Sequence, residues 1–196
     1  MVQFLQTMKP DEIPLDPNCK IKFPAHVDHI SFRAMMELQG LSTQGHRPVN
    51  ELILDTITIV CYGESTELDY DSNSSSFKRF KQRVNDQPLI YMMGLHNHIS
   101  NQLIASQKAW QERFDSVDVD DPDYHQAGGE RMAQFNVINT VKSICADFNV
   151  SYDKAWQMPY ALTQTNSYAK ASYAYTQSNM QKLKEIKMEA KRKEKK

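Results

Sequence analysis

Asp153-Lys154-Ala155-Trp156-Gln157-Met158-Pro159-Tyr160-Ala161 joins the two stretches whose reading decides the fold. Behind it, residues 160–196 run without a Gly or Pro and are rich in Ala, Gln, Lys, Glu and Met. Such side chains lose little freedom in a helix, and nothing in the run breaks the ladder of backbone hydrogen bonds. This predicts one long C-terminal helix, too polar to be buried all round. Ahead of the motif, residues 130–150 set Met132, Phe135, Ile138, Val141, Cys145 and Phe148 at helical spacing, a broad apolar face that needs a neighbour. Ser151 offers its hydroxyl as the cap of a further helix. Pro159, which has no N–H to donate, either kinks that helix or opens the next one.

The same reasoning carries toward the N-terminus. Asp86 and Pro88 signal the start of a helix over about 89–114, with Met92, Leu95/His96, Ile99, Leu103, Trp110 and Phe114 along one stripe. At 1.5 Å per residue it spans about 40 Å. Phe77, Phe80 and Val84 mark a short helix over 77–84, preceded by a polar loop over 63–76. Asp28 is placed to cap a helix that presents Ile30, Ala34, Met35 and Leu38 on one face and that Gly40 ends. The run 52–62 reads two ways. Ile53, Ile57 and Val60/Cys61 recur at helical spacing, yet Ile57, Thr58, Ile59 and Val60 are β-branched and suit a strand. Pro48 at a first turn and the length of the segment favour the helix. Pro10, Pro14, Pro17 and Pro24 make residues 1–25 an extended arm, with one short strand at 19–23. The fold class is therefore mainly α: a small irregular helical domain (26–150) with an extended Pro-rich N-terminal arm (1–25) and a long C-terminal helix. Residues 151–196 form an aromatic turn, that long polar helix and a basic tail.

Composition narrows the function classes. Apolar residues make up 40% of the 196, and the mean hydropathy of −0.62 fits a polar-surfaced protein. No run approaches the roughly 18–20 apolar residues of a membrane span, so no membrane partner is expected. Residues 1–6 lack the basic and apolar regions of a signal peptide. Cys19, Cys61 and Cys145 show no CxxC spacing and fit reduced thiols in a cytoplasmic protein. The net charge of −1 conceals an asymmetry: residues 182–196 hold eight Lys/Arg and three Glu, a local +5 that leaves −6 for the rest. Glu185, Glu189 and Glu194 interrupt that basic run. This argues for a solvated helix end, its lysines matched to the helix dipole, over a nucleic-acid arm.

Motifs for chemistry are absent. His26/His29 and His96/His98 are close pairs, but neither has the further ligands that a closed metal site needs. Counted as calcium loops, the stretches from Asp118 and Asp69 lack Gly at the sixth position and Glu at the twelfth. They read as solvated acidic loops. Gly128-Gly129 precedes a helix start, without the spacing of a nucleotide-binding loop. No catalytic residue, metal ligand or cofactor is assigned, and the chain reads as no enzyme.

The candidate binding residues are aromatic. Trp156, Met158, Tyr160, Tyr168 and Tyr175, with Tyr173 beside them, stand among Gln164, Asn166, Lys170, Ser172, Gln177 and Asn179. Aromatic side chains in polar surroundings are typical of protein interfaces. The reading is balanced between packing on the chain's own core and forming a partner groove. Met35, Met36, Met92, Met93 and Met132 would suit an adaptable groove or ordinary core filling. A protein partner is expected, and self-association stays open.

Phe148-Asn149-Val150-Ser151-Tyr152-Asp153-Lys154-Ala155-Trp156-Gln157-Met158-Pro159-Tyr160 resembles the C-terminal element of phage tail assembly chaperones and related tail-hub morphogenesis proteins. There a small helical domain ends with a hydrophobic–x–V–S–x–x–x–x–W–x–M–P turn before an Ala/Tyr-rich helix. Residues 22–38 followed by 51–61 also resemble the N-terminal half of baseplate-hub proteins of contractile-tailed phages, although the usual glycine-rich strand-turn is missing. Together these cover about half of the chain. The resemblance implies a non-enzymatic assembly chaperone that binds helical segments of tape-measure or hub proteins, in the host cytoplasm or retained in the virion. A permanent structural component of tail, baseplate or neck is the alternative. Further off is a nucleic-acid-binding accessory protein using residues 182–196.

Overall fold

The computed structural model describes residues 21–41, 47–116 and 135–194, with side chains up to residue 190. Its organising element is the ambiguous run, which is helical throughout: Val49–Thr66 (α2) keeps Ile57, Thr58, Ile59, Val60, Cys61 and Tyr62 buried. A helix surrounded by protein has no polar face to betray its period, so its sequence resembles a buried strand. The hydroxyls of Thr58 and Thr66 donate to the carbonyls of Leu54 (2.6 Å) and Tyr62 (2.7 Å), one turn back. Threonine thereby satisfies its polar atom inside the core.

Around α2 pack α1 (Phe32–Leu41), α3 (Ser75–Asn85) and α4 (Leu89–Asp115). A 3-10 turn at Val27–His29 precedes α1. The chain then continues through α5 (Asn136–Phe148), the short α6 (Tyr152–Trp156) and α7 (Tyr160–Glu194). Among the described residues the architecture is entirely helical, with one isolated antiparallel bridge between Ser31 and Pro159. The 35 residues of α7 extend about 52 Å.

Local signals explain most boundaries. The Ser74 hydroxyl accepts from the Phe77 N–H (3.0 Å) and opens α3, which buries Phe77, Phe80 and Val84. The Ser151 hydroxyl accepts from the Lys154 N–H (3.3 Å) and opens α6. Pro159 opens α7, its carbonyl accepting from Leu162 and Thr163. Asn149 takes a left-handed conformation (φ 49°) after α5 and its N–H closes on the Cys145 carbonyl, a residue type suited to that position. Two sequence expectations are displaced. Asp28 lies in the 3-10 turn and accepts from Ser106 and Trp110, while Ser31 caps α1 by accepting from the Ala34 N–H (3.2 Å). Gly40 sits within α1, which runs on to Leu41.

Two apolar clusters result. The larger joins Val27, Ile30, Met35, Leu38, the α2 residues, Phe80, Val84, Met92, Leu95 and Ile99. The smaller joins Phe32, Val141, Ile144 and Ala155, with Trp156 and Met158 against them, and Met36 and Tyr160 touch both. The sequence boundary at 150/151 thus falls inside the smaller cluster. Asp55, almost buried on α2, is held by Arg47 (2.9 Å) and Lys81 (2.5 Å). Residues 21–23 form no strand, but Ile21 is buried in the larger cluster. The Ser65 hydroxyl pairs with both the N–H and the carbonyl of Lys22. Residues 1–20, and with them Cys19 and most of the arm, lie outside the described residues, as do Asp118–Asp123 and Gly128-Gly129.

Candidate partner-binding surface

The aromatic turn is built by three reaching contacts. The Phe32 N–H donates to the Met158 carbonyl (2.7 Å), and the Tyr160 N–H donates to the Ile30 carbonyl (2.9 Å). Between them, the Gln157 amide accepts from the Tyr70 N–H (3.1 Å) and donates to the Tyr70 carbonyl (2.9 Å). Gln157 thus ties the turn to the loop after α2. Tyr70 is itself buried, and its hydroxyl donates to Glu37 (2.7 Å). Burial and the Glu37 carboxylate both push the Tyr70 phenol well above its usual range, so it stays a donor.

The five sequence-predicted binding residues separate in this frame. Trp156 and Tyr160 flank the Phe32 ring, with centroids 5.4 and 6.4 Å away, and Met158 packs in the same cluster. All three are half-buried. Burial also raises the Tyr160 phenol above its ordinary value. Tyr168 meets Phe114 of α4 edge-on at 5.9 Å. Tyr175 is exposed on α7. Trp156 also forms one wall of an open groove of about 610 Å³ with Arg33, Met36, Glu37, Tyr152 and Gln157.

Beyond Lys170 the character of α7 changes. Its proximal half is clamped to α5, where Asp147 accepts from Asn166 (2.7 Å) and Lys170 (2.6 Å), and Lys170 also donates to Ser143. The hydrogen bonds from Lys170 and Asn166 hold the Asp147 carboxyl below its usual range. Asp147 against Asn166 and Ser143 against Lys170 make the two helices antiparallel. The N-terminal end of α5, with exposed Phe135, Val137 and Ile138, therefore points along α7 toward Tyr173. From there on, Tyr173 (68% exposed), Met180, Leu183 (56%), Ile186 (62%) and Met188 are all open to solvent. These exposed apolar side chains are thus concentrated on one element. Met180, Leu183, Ile186 and Met188 escaped the sequence reading because the charges around them suggested a solvated end; the three-residue spacing of Met180, Leu183 and Ile186 was the available signal.

Among the described residues no group of three or more His, Cys, Asp or Glu is arranged to hold a metal ion. His26 accepts from the Asp28 N–H (3.2 Å), and His98 packs on Phe23. Cys61 is buried in the larger cluster and Cys145 half-buried in the smaller. Asp71 of the first acidic loop closes a turn by accepting from the Asn73 N–H (3.0 Å). No described helix is long and apolar enough to cross a membrane. Comparison of the chain with protein-family models, curated proteins and solved structures finds no match.

Proposed function

We propose that this chain is a non-enzymatic tail-morphogenesis protein that binds helical segments of a tape-measure or hub protein and keeps them soluble as an assembly chaperone. The observation that carries the reading is the distal half of α7, which holds four large apolar side chains, Met180, Leu183, Ile186 and Met188, out in solvent on a helix anchored at its other end. A free helix of this kind offers a ready surface for helix-on-helix packing. The resemblance of residues 148–160 to tail assembly chaperones supplies the class of partner. The anchored turn supports the same reading, because it fastens the start of α7 to the body and leaves the far end of the helix clear.

Affinity purification of the tagged full-length protein from its native host, at low and at high salt, tests this. Retention of a long helical tail protein through the high-salt wash is the expected result, since apolar contact survives screening. Recovery of nucleic acid that washes away with salt would overturn it. Deleting residues 1–20 separates chaperone from permanent subunit: a chaperone keeps its partner without them, whereas a subunit that orders its arm on a neighbour fails to enter the particle.

A further inference from the structure

On a helix advancing about 100° per residue, Tyr173, Met180, Leu183 and Ile186 fall within one arc of about 140°, and Ala190 lies in it too. The same arithmetic sorts the charges. Lys182 and Lys184 lie about 100° to either side of the centre of this seam, and Lys187 falls inside it, about 30° from the centre. Glu185 and Glu189 fall on the opposite face. None of these three lysines has a carboxylate within ion-pair distance among the described residues. As far as Ala190, cations thus border or enter the apolar seam, while Glu185 and Glu189 lie behind it.

We propose that the distal half of α7 is a docking seam for a single amphipathic helix whose own apolar stripe is flanked by Asp and Glu. This inference rests on the chaperone reading and names the chemistry of its partner. Leucine-like side chains would interleave with Met180, Leu183 and Ile186, while flanking carboxylates meet Lys182 and Lys184 and one of them reaches across to Lys187 within the seam. A second copy of the chain fits poorly. In a parallel pair Lys187 faces Lys187, and in an antiparallel pair each lysine border lies along the other. An anionic membrane surface fits poorly as well, because the rest of the chain carries −6 and would be repelled.

The test uses the full-length protein and synthetic helical peptides of about three heptads with one leucine seam, flanked by Glu, Gln or Lys. Fluorescence anisotropy is expected to show the Glu-flanked peptide binding about tenfold or more tighter than the Lys-flanked one, with a preference that shrinks as salt rises. Leu183→Gln with Ile186→Gln should abolish binding without moving the melting temperature, since both side chains are exposed. Lys182→Glu, Lys184→Glu and Lys187→Glu together should reverse the peptide preference. Equal binding of all three peptides, or binding that survives the Gln variant, would overturn the inference. So would sedimentation showing a dimer that the Gln variant dissolves, or tighter binding to phosphatidylserine vesicles than to any peptide. The two levels separate cleanly. If the Gln variant still captures a tail protein from the host, the chaperone reading stands and the seam fails. If the Glu-flanked peptide binds as expected but no tail protein is captured, the seam stands and the tail assignment fails.

Discussion

Gln157 uses its side-chain amide as a neighbouring strand would use its backbone, giving one donor and one acceptor to Tyr70 across 87 positions of sequence. Replacing it by Ala leaves the N–H and the carbonyl of a buried residue unpaired. An unsatisfied buried polar group costs about 1–3 kcal/mol. Gln157→Ala should lower the stability read from urea unfolding by that order, and Gln157→Glu should do no better, because it sets an oxygen against the Tyr70 carbonyl. A loss below about 0.5 kcal/mol, typical of a surface site, would show that the tie is slack. A second residue-scale prediction concerns pH. The Val27 N–H donates to Oε1 of Gln102 (2.8 Å), which leaves the Gln102 NH₂ facing Nε2 of His98 at 2.9 Å. His98 must accept there and carry its proton on Nδ1, so the ring is neutral. Burial lowers the pKa of both His98 and His96 from the ordinary 6.5. Between the lowered folded values and 6.5 the unfolded chain binds more protons, so stability rises with pH across that window and is lost on acidification through it. Urea midpoints measured from pH 7.5 down to 5 should fall, and His98→Gln should flatten part of the decline. The sequence displayed these histidines only as a pair two apart; the amide that fixes the state of His98 lies on the next turn, and its role was visible only in three dimensions.

At the scale of the element, α4 and the short α3 were legible because each has one face to the core and one to water, so spacing alone reported them. α2 was legible only through Pro48 and its length. α5 shows the opposite limit. Its apolar stripe is continuous in sequence, yet only Val141 and Ile144 are fully buried, while Phe135, Ile138 and Phe148 stay exposed. Periodicity reports that a face is apolar, not what covers it. The aromatic turn is the same lesson in reverse. Trp156, Met158 and Tyr160 look like interface residues among polar neighbours, and the ring that receives them, Phe32, is remote in sequence. The distal part of α7 lies beyond the clamp to α5 at Lys170. Removing residues 179–196 should therefore leave the melting temperature within about 2 °C, as surface changes do. Circular dichroism should register the lost helix, and partner capture should disappear. A large fall in melting temperature would mean that this half packs on the body.

Across the whole molecule the two clusters set a division of labour. The larger is centred on a helix buried all round, and its protection should approach the global stability. The smaller has Phe32, Val141, Ile144 and Ala155 at its centre and is what fastens α5, α6 and the start of α7 to α1. Phe32 is 2% exposed and receives both Trp156 and Tyr160. Truncating a buried Phe to Ala costs about 3–5 kcal/mol. If the clusters open separately, Phe32→Ala spends that loss locally. Hydrogen exchange would then quicken in α5, α6 and proximal α7 while α2 and α3 keep their protection. If they open together through Met36 and Tyr160, which touch both, exchange would quicken everywhere by one factor. The first outcome is expected, because α2 and α3 are packed by residues that Phe32 does not join. It would leave the direction of α7 adjustable without unfolding the body, which suits a helix that must find a partner. The same experiment on the unmodified protein should find the distal half of α7 exchanging fast alone and slowly with the Glu-flanked peptide bound, while α2 is unchanged in both.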